Sequence, residues 1–353
     1  MTSPVLVVIG LGVRGRHWKT AIDDHPRARL GGAVEVREDR IPGSVRSFNS
    51  IHEAVEADPD GIIVATPPES HLEIVEAALE RGIPVLCEKP LSTSFAAAQR
   101  MTHLADRAGT PLLVGMNFRF VKASLGWREL VASREYGSPI FGQFTYIRNR
   151  DGRRPDLNDY PLTMAQPMLS DQSIHHLDLM RFVYGREVVA VSARTWNPST
   201  SVYADDSCVA AVVQFEENLT ASYLGTWTSG TNRFEFRWRT DFEDGVVTQA
   251  EQFGHLLSAR REPDLAFASA LHDIGVEEPQ VLGYGPSEPF VDDTAALLDH
   301  FIRVVENKEI PGPTASDHLL TLNLVDSIRL ASTESRVVDV AERAAMLGLT
   351  ASG

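Results

Sequence analysis

The chain has 353 residues, a length typical of two domains rather than one. Its 33 Lys and Arg against 48 Asp and Glu give a formal net charge of −15, which argues against a general binder of nucleic acid or anionic membranes, because both are polyanions. Hydrophobic residues at 43% exclude disorder for the bulk of the chain. Two cysteines cannot build a disulfide framework, and no signal sequence or membrane-spanning apolar run is recognisable, so we expect a cytoplasmic protein.

The first 120 residues alternate short apolar runs with amphipathic stretches. The runs predict buried strands, and the stretches predict helices that cover both faces of a parallel sheet. The predicted strands are Val5–Ile9, Ala33–Val36, Gly61–Ala65, Pro84–Cys87 and Pro111–Val114, and the predicted helices are Arg16–Asp24, Leu72–Arg81 and Ser92–Ala108. This pattern indicates a doubly wound α/β domain over residues 1–119.

The character of the chain changes after residue 120. The apolar runs become richer in aromatic residues, alternate in polarity and follow one another through short turns, a pattern typical of an antiparallel or mixed sheet. The predicted strands are Pro139–Arg148, Val188–Thr195, Cys208–Phe215, Leu219–Trp227 and Arg233–Arg239, and helices are predicted at 170–184, 292–306 and 317–332. We interpret 255–289 as a long excursion over the sheet. Residues 120–353 are thus predicted to form an α+β domain with a mixed, largely antiparallel sheet.

A G-x-G-x-x-G pattern follows the first predicted strand and opens the first helix. Gly10 permits a tight turn, Gly12 lets the backbone approach a pyrophosphate, and Gly15 lets the helix pack close to the sheet. The unpaired N–H groups at the helix N-terminus would receive the diphosphate. The first domain is therefore predicted to be a Rossmann domain that binds a dinucleotide.

An acidic residue, Glu35, stands twenty residues after Gly15. A carboxylate there accepts hydrogen bonds from the adenosine ribose hydroxyls and repels a 2′-phosphate, which favours NAD. Arg37 could instead meet a 2′-phosphate or be a solvated loop residue, and Arg14 lies in the glycine-rich turn. NAD is thus the predicted cofactor, with NADP left open.

Two segments carry residues suited to proton transfer. Lys89 follows a predicted strand at the edge where open α/β sheets bind ligands, and it can donate a hydrogen bond or carry a proton there. Asp171 and His175 lie four residues apart on the predicted helix 170–184, so they face the same way, and a carboxylate beside an imidazole makes a general base. A helix with a polar solvent face is the alternative. His176 is rotated by one residue and is expected to pack or to bind a neighbouring group.

These pieces resemble the Gfo/Idh/MocA family of oxidoreductases over nearly the whole chain. The motifs that carry the resemblance are GLGVRG (10–15), Glu35, ATPPESH (65–71), ALERGIPVLCEKP (78–90), NFRF (117–120) and DQSIHHLDLMRFVYG (171–185). The resemblance implies a Rossmann domain followed by an open-sheet domain that is often used for dimer or tetramer contacts. It also implies that Lys89, Asp171 and His175 are the catalytic triplet, with His175 as the base.

The resemblance further implies that Thr66, Pro67 and His71 lie along the cofactor and that Asn117 and Arg119 border the site. Together with the motifs described above, it gives the residues expected to contact ligands. Those expected at the cofactor are Gly10, Gly12, Val13, Arg14, Gly15, Glu35, Thr66, Pro67, His71, Glu88 and Lys89. Those expected to border the substrate are Asn117, Arg119, His176, Arg148 and Arg150. The arginines at 148, 150, 153 and 154 could bind a carboxylate or phosphate, or pair with nearby aspartates. Trp127, Trp196 and Trp227 could be core residues or platforms for a sugar ring.

The predicted function is NAD(P)-dependent oxidation of a secondary alcohol on a sugar, cyclitol or related polyol, by reversible hydride transfer to the nicotinamide C4. The expected partners are a small-molecule substrate and further copies of the chain, in a homodimer or homotetramer, with no nucleic acid, membrane or metal. One alternative is a non-catalytic dinucleotide-binding sensor, whose expected mark is loss of the lysine or histidine. Another is an enzyme that uses the cofactor transiently to convert a glycoside or anhydrosugar.

Overall fold

A computed structural model describes residues 3–150, 160–261, 279–308 and 312–349. The chain divides into two compact units: unit 1 comprises residues 1–120, 288–323 and 348–353, and unit 2 comprises 121–287 and 324–347. The sequence assigned all residues after 119 to one domain. The segment 288–323 instead groups with unit 1, because Leu297, Leu298 and Phe301 are fully buried in the core beneath its sheet.

Unit 1 contains a six-stranded parallel sheet in the order β3-β2-β1-β4-β5-β6, which confirms the predicted fold class. Its strands are β1 (Val5–Ile9), β2 (Arg29–Val34), β3 (Ser47–Phe48), β4 (Gly61–Val64), β5 (Val85–Cys87) and β6 (Leu112–Val114). Its helices are α1 (Val13–Asp24), α2 (Ile51–Glu56), α3 (His71–Leu79), α4 (Phe95–Ala108) and α7 (Asp292–Val305). The chain order reverses at β1, and this switch point is where such sheets bind nucleotides.

The second strand differs from its prediction. It spans Arg29–Val34 rather than Ala33–Val36, because two glycines hide its first half from a reading based on apolar runs. A Cβ at Gly31 would lie 2.5 Å from Val5 Cγ1, so the close approach of β1 requires glycine there. As a consequence Glu35 comes directly after the strand, at the carboxyl edge of the sheet.

Unit 2 is built on a mixed sheet in the order β14-β13-β12-β11-β7-β10-β9-β8-β15. Among the strand pairs that the structure describes in this second sheet, only β7 and β10 run parallel. The strands are β7 (Pro139–Ile147), β8 (Val188–Trp196), β9 (Cys208–Phe215), β10 (Thr220–Thr226), β11 (Glu235–Phe242), β12 (Gly245–Gln249), β13 (Leu257–Arg260), β14 (Gln280–Val281) and β15 (Val338–Asp339). The helices of unit 2 are α5 (Lys122–Ser133), α6 (Ile174–Tyr184) and α9 (Val340–Met346). Helix α8 (Ala315–Glu334) begins in unit 1 and continues into unit 2 after residue 323. The open mixed sheet is as predicted.

The segment 255–289 does more than cross the sheet. Its described parts supply β13 and β14, which pair antiparallel and extend the sheet beyond β12. Residues 262–278 lie outside the described ranges. Within those ranges, no helix is long and apolar enough to cross a membrane.

Aromatic side chains dominate the core of unit 2. Trp127 stacks on Trp238 with 4.2 Å between ring centroids, and Phe144 packs against both Trp238 and Tyr223. Trp127 and Trp227 are no more than 1% exposed. These two tryptophans are therefore core residues rather than open platforms for a sugar ring.

Candidate active site

The glycine-rich turn between β1 and α1 leaves open space at one of its three glycines. A Cβ at Gly10 would lie 2.8 Å from the carbonyl oxygen of Ala65, and a Cβ at Gly15 only 1.8 Å from the carbonyl oxygen of Gly10. A Cβ at Gly12 would meet no atom within 4 Å, although Gly12 caps the N-terminus of α1. Close packing within the fold thus requires glycine at positions 10 and 15. Gly12 instead leaves space through which a phosphate can reach the N–H groups of the helix. This geometry fits a dinucleotide.

Glu35 binds the same turn directly. Its carboxylate accepts hydrogen bonds from the backbone N–H of Leu11 at 2.6 Å and of Arg37 at 3.0 Å. The Arg37 side chain pairs instead with exposed Asp39, at 3.2 Å. The carboxylate is therefore held where the sequence predicted a ribose contact, and Arg37 is a loop residue with an exposed partner.

His71 ties two turns of unit 1 together. Its buried ring lies 3.0 Å from the carbonyl oxygen of Thr66 and 3.1 Å from that of Leu91. Thr66 and Pro67 form the turn after β4, at the carboxyl edge of the sheet. Full burial of His71 gives it a supporting role beneath this turn, while Thr66 is half-buried and Pro67 is exposed.

Two residues predicted at the cofactor are bound to each other. Arg14, in the glycine-rich turn, donates from Nε to Glu88 Oε1 at 2.8 Å, and Nη2 lies 2.8 Å from the same oxygen. Trp18 donates its indole N–H to that oxygen too, at 2.8 Å, and Arg14 Nη1 reaches Thr294 at 3.2 Å. These bonds hold Lys89, the next residue after Glu88, to the glycine-rich turn. Sequence reasoning missed this pair, because 74 residues separate its members.

Asn117 and Arg119 are also committed to partners within unit 1. Asn117 is 2% exposed and donates its side-chain N–H to Asp293, and Arg119 pairs with Asp317 at 2.5 Å. Burial raises the pKa of the Asp293 carboxyl. The side chains that the sequence placed beside the substrate therefore join the 117–120 turn to α7 and α8.

Asp171 and His175 belong to unit 2 and sit on either side of a change in helix geometry. Residues Met168–Ser173 form a turn of π-helical width, and regular α6 begins at Ile174. The spacing rule for a regular helix, from which a shared face was predicted, therefore does not apply across this junction. The Asp171 carboxylate accepts hydrogen bonds from the Tyr160 hydroxyl at 2.7 Å and from Arg150 at 3.1 Å.

His175 is 7% exposed and follows the turn directly. Arg150, the arginine that binds Asp171, is stacked 4.1 Å from the ring centroid of Trp227. The guanidinium held this way forms an ion pair with Asp171, four residues before the imidazole. Of the other loop arginines, Arg148 lies beside Tyr146. Arg153 and Arg154 lie outside the described residues.

His176 is buried inside unit 2, with other side chains of the same unit around both ring nitrogens. It is 1% exposed, its Nδ1 lies 2.9 Å from the Tyr223 hydroxyl and its Nε2 lies 3.1 Å from Gln172 Nε2. Burial lowers the pKa of His176 to about 3. The ring is therefore a neutral group packed inside unit 2, and its contact with a substrate stays a prediction.

Two models of protein families match this chain and show which family it belongs to. Residues 5–116 match the model of an oxidoreductase family with an NAD-binding Rossmann fold, and residues 125–248 match the GFO/IDH/MocA C-terminal domain. The chain belongs to the Gfo/Idh/MocA family. It is thus an oxidoreductase with an NAD-binding Rossmann domain, as the glycine-rich turn and Glu35 predicted.

Individual relatives are distant but span most of the chain. A D-apiose dehydrogenase of Paraburkholderia graminis is 25% identical over 295 residues, which cover 80% of this chain and 73% of the relative. A myo-inositol dehydrogenase of Streptomyces leeuwenhoekii is 28% identical over 277 residues, 78% of this chain and 77% of the relative. An oxidoreductase from Agrobacterium radiobacter, crystallised with NAD+, L-tartaric acid and magnesium, superposes with a TM-score of 0.80 at 21% identity, covering 97% of this chain and 100% of that one. At 21% identity, this last similarity shows that the two chains share a fold and nothing beyond the fold.

Proposed function

We propose that this Gfo/Idh/MocA oxidoreductase oxidises a secondary alcohol of a sugar, cyclitol or related polyol with NAD. The observation that carries the proposal is the Asp171 carboxylate, fixed by Arg150 and Tyr160 four residues before the buried imidazole of His175. A fixed carboxylate close to an imidazole in the sequence suits a general base for a hydroxyl proton. The names of the apiose and inositol dehydrogenases support a polyhydroxylated substrate.

In the proposed reaction the carbinol C–H and O–H bonds break and a carbonyl forms. Bound NAD supplies the hydride acceptor. His175 takes the hydroxyl proton, and Asp171 stabilises the imidazolium that results. Lys89 donates a hydrogen bond to the substrate oxygen as negative charge develops on it. The assignment of Lys89, Asp171 and His175 to these roles follows the family resemblance.

The arrangement of residues in unit 1 supports NAD as the cofactor. The open position at Gly12 and the N-terminus of α1 would bind the diphosphate. The Glu35 carboxylate would accept hydrogen bonds from the adenosine ribose hydroxyls. Thr66 and Pro67 border the same edge of the sheet. A carboxylate at position 35 supports NAD over NADP, since a 2′-phosphate would be repelled.

Spectrophotometry with a panel of sugars, cyclitols and polyols tests the proposal. Purified protein with NAD should produce nicotinamide absorbance with at least one polyol, and His175→Gln should abolish it while NAD binding persists. Retained turnover in His175→Gln would contradict the assignment of the base. Tight NAD binding with no oxidised polyol would favour the sensor, and product without net NADH would favour transient redox chemistry.

We also propose that the chain assembles into a homodimer or homotetramer through the sheet of unit 2. Large apolar side chains on β7 and β9 support this: Ile140, Phe141 and Val212 are each at least 40% exposed. Light scattering coupled to size-exclusion chromatography should give a mass of two or four chains. Val212→Lys should shift that mass downward, because a charge buried in an interface is costly.

A further inference from the structure

The turn that precedes α6 departs from regular helix geometry. The backbone N–H of Ile174 reaches the carbonyl of Leu169, five residues back, at the end of the wide turn Met168–Ser173. Turns with this i→i+5 hydrogen bond are rare within helices and occur often at functional sites. A less favourable backbone conformation persists only where the surrounding structure fixes it.

A chain of side-chain hydrogen bonds fixes the inner side of the turn. Tyr223 of β10 donates its hydroxyl proton to Ser173 Oγ at 2.8 Å. Because that proton is used, the His176 Nδ1 at 2.9 Å must donate its own N–H to the Tyr223 oxygen. His176 Nε2 then accepts from the Gln172 amide at 3.1 Å. One arrangement of protons therefore satisfies all three bonds.

The hydrogen-bonded side chains Ser173, His176 and Tyr223 are shielded from solvent, and their protonation does not change near neutral pH. Ser173, His176 and Tyr223 are 0%, 1% and 2% exposed. Burial lowers the pKa of His176 to about 3 and raises the pKa of Tyr223. The array therefore holds its protons in place, and it serves as a fixed brace rather than as a path for protons.

Packing reinforces the turn from both sides. A Cβ at Gly225 would lie 2.5 Å from Met168 Cε and 2.6 Å from the Tyr223 hydroxyl, so β10 packs closely against the first residue of the turn. On the other side Arg329 donates to Gln166 Oε1 at 2.9 Å and to Ser170 Oγ at 2.8 Å. Two distant parts of unit 2 thus pack against the first half of the wide turn.

We propose that Tyr223, acting through Ser173 and His176, is a positioning residue that fixes where Asp171 and His175 lie. The inference rests on the proposed function, in which those two residues handle the hydroxyl proton. The anchored residues Gln172 and His176 are direct neighbours of Asp171 and His175 in the chain, so a shift of the brace moves both. Nothing in the brace touches substrate, and its effect is on geometry alone.

The test replaces the tyrosine hydroxyl in the full chain, as Tyr223→Phe. Its matched control is Tyr136→Phe, which removes another buried hydroxyl of unit 2 that donates to Ser258 at 2.9 Å. We expect Tyr223→Phe to lower kcat roughly 10- to 100-fold, as small misplacements of catalytic groups do. The KM for NAD should stay within about twofold, and the acidic limb of the pH profile of kcat/KM should move.

The control should lose thermal stability comparably but keep the wild-type kcat and pH profile. A Tyr223→Phe enzyme whose kcat and pH profile match those of the control would overturn the proposal. So would a larger loss of stability without any change in kinetics, because it would assign the brace a purely structural role.

Nitrogen-15 NMR of the histidine rings separates this inference from the proposed function. In the wild-type chain His176 should be the neutral Nδ1–H tautomer from about pH 5 to 8, and the His175 ring signals should shift in Tyr223→Phe. A wild-type chain that oxidises no polyol refutes the proposed function while leaving this readout intact. An Nε2–H tautomer at His176, or His175 signals unchanged by Tyr223→Phe, refutes the brace.

Discussion

Glu88 and Arg14 form an ion pair inside unit 1, with 2.8 Å between Oε1 and the guanidinium nitrogens. The pair connects the segment after β5 to the glycine-rich turn after β1. Trp18 donates to the same carboxylate oxygen, which is thereby enclosed by three donors. Since Lys89 follows Glu88 directly, the backbone position of the proposed catalytic lysine depends on a bond from the proposed cofactor-binding turn.

Glu88→Gln tests this dependence. The amide keeps the shape of the side chain but removes the charge that compensates Arg14, so we expect a loss of about 2 kcal/mol in the free energy of unfolding. The KM for NAD should rise, because the turn that carries Arg14 loses its anchor. Asp39→Asn, which breaks an exposed pair, should change stability by less than about 0.5 kcal/mol. Equal effects from the two variants would contradict the role of the buried pair.

Alanine substitutions separate the glycine required by a ligand from the glycine required by the fold. Gly12→Ala meets no atom within 4 Å and should leave the thermal midpoint near that of the wild type while weakening NAD binding. Gly15→Ala places a Cβ 1.8 Å from a backbone oxygen and should yield a destabilised or insoluble chain. Gly43→Ala, also in open space, is the control with normal affinity. Calorimetry of NAD binding decides; unchanged affinity in Gly12→Ala would count against a diphosphate at this turn.

Glu35→Ser should change the choice between cofactors. The substitution removes the carboxylate that repels a 2′-phosphate, and it leaves Arg37 close by, so kcat/KM should fall about 10-fold with NAD and rise with NADP. Glu38→Ser, an exposed neighbour, should keep the ratio within about twofold of the wild type. Steady-state kinetics with both cofactors provide the measurement. A parallel loss with both cofactors would indicate a folding role for Glu35.

Acid should destabilise the chain through His176. Its folded pKa of about 3 lies below the ordinary value of 6.5, so below pH 6.5 the unfolded chain binds a proton that the folded chain refuses. The stabilising contribution is complete above pH 6.5 and is lost as the pH falls toward 3, with a slope of up to about 1.4 kcal/mol per pH unit. Urea titrations at pH 7 and pH 5 should show a smaller loss for His176→Gln than for the wild type. His52→Gln, an exposed histidine, should retain the wild-type loss.

The parallel sheet of unit 1 could be predicted because its strands are apolar on both faces. Four of the five predicted strands are found within a residue of their expected ends, whereas β2 begins four residues earlier, at Arg29, and contains a glycine pair. The two-residue strand β3 and the short helix α2 escaped prediction, since both are too brief to show periodicity. The grouping of 288–323 with unit 1 could not be inferred, because local patterns do not say which sheet an amphipathic helix covers.

The candidate site was only partly accessible from sequence. The glycines and Glu35 follow from a local motif with a known geometry, and the structure places Glu35 on the turn as the motif requires. The partners of Asp171 and of Glu88 could not be predicted, because each pair joins residues far apart in the chain. The wide turn before α6 was also missed: helical spacing rules assume 3.6 residues per turn, and a local change in that number leaves no mark in the pattern of apolar residues.

The return of α7 to unit 1 has a consequence for synthesis. The last strand of the parallel sheet, β6, ends at Val114, and α7 begins at Asp292, so the ribosome makes about 180 residues between them. At usual elongation rates, roughly 10 to 40 s pass between synthesis of the last strand of the sheet and synthesis of the helix that completes its core. During that interval the apolar surface later covered by Leu297 and Phe301 is open to solvent and to chaperones. A gene truncated after residue 120 would make this exposure permanent.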